Sequence, residues 1–247
     1  MTGYERPEGN QEGSLDIFVL YLDESGSLVL ETCRIITVAA LIVAQKDIGL
    51  LRPVLPRIRK RLNQRRKVGR KITREFKFRT LYGHREFGAI RQVMAAIGQL
   101  PCRLVIVRVE KGHQVVEDNS LNYAILLSET VRLSKRHYPK AEYIFDRHFP
   151  PSQFDKMQHV NHELAQILGE PLDILHKDSQ DRRYPGLGLV DFAAGVARFV
   201  AEAEESARGY RALCEGLDLV RGLILEEVDT TWDELAAGCY EALRTKK

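Results

Sequence analysis

The chain has 247 residues, 44% hydrophobic and 29% charged, with a formal net charge of +3. That length suits one large domain with a real core, and no apolar run reaches the ~18–20 residues of a membrane span, so a cytoplasmic protein with no membrane partner is expected. Four scattered cysteines, Cys33, Cys102, Cys214 and Cys239, with no Cys-x-x-Cys pair, argue against a zinc cluster or a disulfide framework.

Residues 1–14 are polar and glycine-containing, which predicts a flexible tail ahead of a domain over 15–205. The run IFVLYL at 17–22 reads as a strand buried on both faces, and it ends at Asp23. Glu24, Ser25 and Gly26 then supply turn chemistry, with Gly26 able to take a positive φ. A second strand is expected over 34–44, antiparallel to the first because the connection is short. Residues 46–100 form a predicted helical insertion: one amphipathic helix over 46–67, a loop or short extended piece over 69–83, and a second helix over 85–100.

A third strand is expected over 102–109. A helix follows over 120–137, with Ser120 as its N-cap. A fourth strand over 141–146 again ends in an acid, Asp146. A helix over 153–168, closed by Gly169, leads to a fifth strand over 172–176 and an apolar helix over 187–205. Residues 206–247 read as a helical extension with a mostly acidic surface. The class is therefore α/β: a mixed five-stranded sheet flanked by helices, with a helical insertion after strand two and a helical C-terminal tail.

Charge is unevenly spread. Between Arg52 and Arg79 there are 13 Lys or Arg against one acid, Glu75. A solvated face usually mixes both signs, whereas an uncompensated run attracts polyanions. Arg59, Lys60, Arg65, Arg66, Lys67, Arg70 and Lys71 are the candidates for holding a nucleic-acid backbone. An acidic partner or simple solvation are the competing explanations.

The acids suggest a site. If strand four lies beside strand one, Asp23 and Asp146 become neighbours. Asp191 lies among apolar residues of the 187–205 helix, where an ionised carboxylate needs a partner; Arg198 could pair with it, or a metal could. Small residues at 193–195 would let this helix approach the sheet. Glu75 is either a surface ion-pair partner or a fourth ligand. Mg²⁺ and Mn²⁺ prefer oxygen ligands, and metal ions between such carboxylates activate water in phosphodiester cleavage.

Other polar residues have simpler readings. Glu24 and Ser25 read as turn residues that could also assist at the site. Asp178 and Asp181 read as loop polar residues, and His159 with His162 as a solvated helix face. His148, two residues past Asp146, is a candidate general acid or base because an unperturbed imidazole titrates near neutrality. No Gly-rich phosphate loop exists.

The combination of DESG at 23–26 after an apolar strand, Glu75-x-Lys77-x-x-x-Leu81, a strand ending at Asp146, Lys177-Asp178-Ser179, and Leu187-x-x-x-Asp191-x-x-Ala-Gly195 resembles the domain-of-unknown-function 3800 family. The match covers about residues 16–205. The resemblance implies a ribonuclease H-like fold, with Asp23, Glu75, Asp146 and Asp191 as ligands of Mg²⁺ or Mn²⁺ and Lys77 as a phosphate contact. Lys177 falls in a matched motif and is a further candidate assistant. Gly188 departs from the family, which has Gln three residues before the helix Asp. The expected function is a metal-dependent nuclease, the alternative a catalytically silent nucleic-acid- or protein-binding module.

Overall fold

The structure, a computed structural model, describes residues 17–65, 76–179 and 181–245. The expected tail at 1–14, and Arg66, Lys67, Arg70, Lys71 and Glu75, lie outside the described residues.

Strand β1 (Phe18–Ser25) pairs antiparallel with β2 (Ile35–Ala44), Phe18 opposite Ala44 and Ser25 opposite Thr37. Gly26 opens the connection at φ +131, and a Cβ there would press on the Ile35 carbonyl at 3.1 Å. Only glycine suits that turn. The helix expected over 46–67 is divided into α1 (Ile48–Leu51) and α2 (Val54–Gln64) around Pro53, which has no N–H to continue the ladder.

The piece expected to be loop or extended is helical in its second half, α3 (Phe78–Gly83), which buries Phe78 and Leu81. It is too short for a helical period to stand out. Helix α4 (Phe87–Ile97) leads to β3 (Cys102–Glu110), antiparallel to β2. Helix α5 (Ser120–His137) is capped by Asn119, not Ser120: the Asn122 N–H donates to Asn119 Oδ1 at 2.9 Å. Such a cap contributes about 1 kcal/mol.

Strand β4 (Glu142–Asp146), α6 (Phe154–Leu168), β5 (Ile174–Lys177) and α7 (Pro185–Glu202) follow. The C-terminal stretch is not wholly helical. Between α8 (Tyr210–Asp218) and α9 (Trp232–Arg244) lies β6 (Ile224–Thr231), parallel to β3. Its sequence, ILEEVDTT, is acid-rich because the strand is half exposed at the sheet border. The sheet thus has six strands among the described residues, ordered β5-β4-β1-β2-β3-β6. β4 runs parallel to β1, and β5 parallel to β4.

Side chains alternate across a strand, so the sheet divides the interior into two cores. Val19, Tyr21, Leu41 and Ile144 pack with α2, α3, α4, α7 and α8 on one face. Leu20, Leu22, Val38, Tyr143 and Phe145 pack with α5, α6 and α9 on the other. Helix α7 does pack against β1 and β2, as its small residues suggest, but Gly195 is not one of those that meet the sheet. Gly186 admits the Tyr21 ring of β1, whereas the space at Gly195 is taken by the Phe78 ring of α3; a Cβ would lie 2.1 and 2.3 Å from those rings. No helix among the described residues is long and apolar enough to cross a membrane.

Candidate functional site

The apolar run of β1 carries the chain through the core and releases it at Asp23, which is only 5% exposed. Val19 and Tyr21 face α7 while Leu20 and Leu22 face α5, so alternation puts Asp23 on the α7 face and Glu24 on the α5 face. In β4, Ile144 faces α7 between Tyr143 and Phe145, which face α5. Asp146 therefore shares Asp23's face. Leu22 pairs with Phe145, and one further step of that register sets Asp23 beside Asp146. Helix α7 covers the same face and brings Asp191.

Each of these carboxylates accepts a backbone N–H at 2.8 Å: Asp23 Oδ1 from Glu24, Asp146 Oδ1 from Ser179, and Asp191 Oδ2 from Phe78. Arg198 does not pair with Asp191. It donates instead to Glu202 at 2.6 Å and to the Ile35 carbonyl at 3.2 Å.

The three acids disturb one another. Burial, then repulsion by Asp146, Glu24 and Asp191, holds Asp23 well above the usual carboxylate range, with Lys77 pulling it back. Burial raises Asp146 to about 6 against the pull of Lys77, and the charge of Glu24 adds to the rise. Burial also raises Asp191 to about 6, opposed by the Phe78 N–H and Lys77. Lys77 precedes α3 in an extended conformation, φ −115 and ψ 159, between the buried Phe76 and Phe78. Alternation turns its side chain away from those rings, and its charge acts on all three acids.

The α5 face is organised differently. Tyr123 Oη donates to Glu24 Oε2 at 2.7 Å, and His148 Nδ1 meets Glu24 Oε1 at 2.8 Å. His148 Nε2 meets Asp118 Oδ1 at 2.8 Å, and the imidazole stacks on the Tyr123 ring with centroids 4.0 Å apart. Burial works against the imidazolium, but hydrogen bonds and charge from Glu24 and Asp118 prevail and lift His148 to about 9. Burial would raise Glu24, yet His148 and Tyr123 bring it below its ordinary value. His148 is thus a charged bridge at neutral pH and is not poised to exchange protons there. Glu24 is committed to this network.

Ser25 ends β1 opposite Thr37. Lys177 pairs in register with Asp146, and its ammonium lies 5.4 Å from the centre of the Tyr184 ring. Asp181 binds Arg183, and His159 and His162 are exposed on α6. Lys60 on α2 and Arg65 just past its end are exposed, whereas Arg59 is half-buried. That helix reaches α7 at Gly188. Leu55 Cδ1 lies 2.7 Å from where a Cβ on Gly188 would be, so the leucine fills the space that the family's Gln would enter.

Carboxylate oxygens are the donors hard cations take, and a dication would relieve the repulsion among Asp23, Asp146 and Asp191. The donor set fits in chemistry. Its spacing does not: no three His, Cys, Asp or Glu side chains among the described residues are grouped to hold a metal ion. Sequence reasoning missed Tyr123 and Asp118, one inside an apolar helix stripe and the other in a loop.

No family model matches the chain, and no curated protein matches it. A chain of the solved PCNA–RNase HII complex from Archaeoglobus fulgidus is similar to it at 18% identity, over 74% of this chain and 73% of that one, with a TM-score of 0.37. A likeness of that size leaves the function to be argued from the site.

Proposed function

We propose that the chain is a ribonuclease H-like protein akin to the domain-of-unknown-function 3800 family, acting as a Mg²⁺- or Mn²⁺-dependent nuclease or related phosphodiester-cleaving enzyme. One observation carries this reading: acids from β1, β4 and α7 lie at one end of one sheet face, each raised by burial and by neighbouring negative charge. Three antiparallel strands followed by two parallel ones, as in β1–β5, also agree with the fold that the resemblance implies.

Asp23, Asp146 and Asp191, which are not grouped to hold an ion as they stand, would have to close on it, with Glu75 as a further candidate. A metal bound there supplies an activated water and stabilises charge on the leaving oxygen. The chain's own groups do the rest. The backbone N–H groups of Glu24, Ser179 and Phe78 orient the carboxylates. Lys77 moderates their charge and would face a phosphate. The exposed Arg57, Lys60 and Arg61 of α2, with Arg65 just past its end, would grip a polyanion, and Leu55 fixes that helix against α7.

The test is cleavage of labelled RNA, DNA and hybrid strands with Mg²⁺ or Mn²⁺, comparing the wild type with Asp23→Asn and Asp191→Asn. Both variants should remain folded and lose more than the ~10–100-fold typical of an outer-sphere partner. Cleavage unaffected by either change would overturn the assignment. A second reading is favoured by the lack of a closed three-ligand group among the described residues: a silent nucleic-acid-binding module. It requires binding that weakens with salt and is indifferent to divalent ions and to Asp23.

A further inference from the structure

We propose that His148 is a positioning residue that sets the separation of Asp23 and Asp146 from the opposite face of the sheet. This deepens the reading of the acid site and rests on it for its functional meaning. The geometry is a clamp across two strand ends. Glu24 immediately follows Asp23 on β1, and its N–H holds Asp23 Oδ1 at 2.8 Å. His148 comes two residues after Asp146 on the chain leaving β4.

The 2.8 Å bond between His148 Nδ1 and Glu24 Oε1 therefore ties the end of β1 to the exit of β4. It does so on the α5 face, while both aspartates point to the α7 face. Two like charges on adjacent parallel strands push those strand ends apart; an ion pair just beyond them pulls the ends together.

The clamp is itself fixed. Asp118 takes the second imidazole nitrogen at 2.8 Å, Tyr123 takes the second Glu24 oxygen at 2.7 Å, and the Tyr123 and His148 rings stack at 17°. Phe149 meets both rings edge-on, at 5.9 and 4.7 Å between centroids. Tyr123 is fully buried in α5, so the strand ends are referenced to a helix that lies wholly behind the sheet. Groups that orient ligands without touching the metal characteristically change affinity by about 10–100-fold when removed.

The experiment uses the full chain and His148→Gln, with Tyr123→Phe as the milder variant should the first fail to fold. Mn²⁺ binding is measured by calorimetry, and folding by circular dichroism. The expected result is Mn²⁺ affinity about 10-fold weaker in His148→Gln, and a smaller loss in Tyr123→Phe, with native spectra. Cleavage should then show a reduced kcat with little change in KM for the strand. Where the wild type binds Mn²⁺, unchanged affinity in the folded variants would overturn the proposal.

A metal-free measurement separates this idea from the nuclease reading. Asp23→Asn relieves repulsion, and its effect on Tm should be clearly smaller in the His148→Gln background, because relaxed strand ends have less repulsion to relieve. Additive effects would sink the clamp whatever the metal does. Coupled effects in a wild type that binds no Mn²⁺ would uphold the clamp and defeat the nuclease.

Discussion

The two faces of the sheet at the Asp23 end hold similar numbers of charged groups under opposite rules. On the α5 face, Glu24, His148 and Asp118 alternate in sign and are joined by 2.8 Å bonds, with a tyrosine hydroxyl completing the set. On the α7 face, Asp23, Asp146 and Asp191 have the same sign, and among the described residues Lys77 acts on all three. The first arrangement is satisfied by the chain alone. The second leaves an excess of negative charge among the described residues, and groups perturbed in that way cluster where a protein meets a ligand.

The sharpest way to break this contrast is to make comparable changes on each side. Glu24→Ala leaves the half-buried His148 imidazolium with Asp118 as its remaining partner and removes the acceptor of the Tyr123 hydroxyl, and should destabilise the protein by about 1–3 kcal/mol, read from urea unfolding. Gly195→Ala drives a methyl into the Phe78 ring and should cost about 1–3 kcal/mol while loosening the segment that presents Lys77. Asp191→Asn should do the reverse, stabilising the metal-free protein by roughly 1–3 kcal/mol at pH 8. If both acid substitutions shift stability in the same direction, the two faces are not different in kind.

pH separates the faces further. Asp191 titrates near 6 in the folded protein against 3.8 as its ordinary value. Protonating it favours the native state: that gain is complete below 3.8 and is lost as pH rises through about 6. The advantage of Asp191→Asn should therefore be present at pH 8 and fade as pH falls through 6. His148, at about 9 against 6.5, has the same sign in a higher window. The deficit of His148→Gln should be full at pH 6 and shrink as pH rises past 9. Added Mn²⁺ should raise the Tm of the wild type most at pH 8, an effect smaller than the substitutions and absent from Asp23→Asn.

Much of this was readable in the amino-acid order. Long apolar runs marked β1 and β2, and the terminal acids of β1 and β4 stood out because polar residues end buried strands. Strand alternation carries further information: consecutive residues cannot share a face, so Glu24 does not join Asp23. Likewise Phe76-Lys77-Phe78 has the pattern of a buried pair with a charge turned away. The Tyr123 and Asp118 contacts had no local signature, since they arise only when α5 packs behind the sheet. Strand β6 was hidden by its acids, and Asn119 displaced Ser120 as a cap because the helix begins one residue away from the expected position.

Those acids on β6 have a further consequence. The strand borders the sheet beyond β3, and a border strand has backbone amides and carbonyls that a foreign strand could zip onto. Glu227 and Asp229 stand along it, held sideways by Arg108 at 2.6 and 2.5 Å. A second chain approaching that border with its own β6 would meet matching negative charge, which keeps the sheet from growing between molecules.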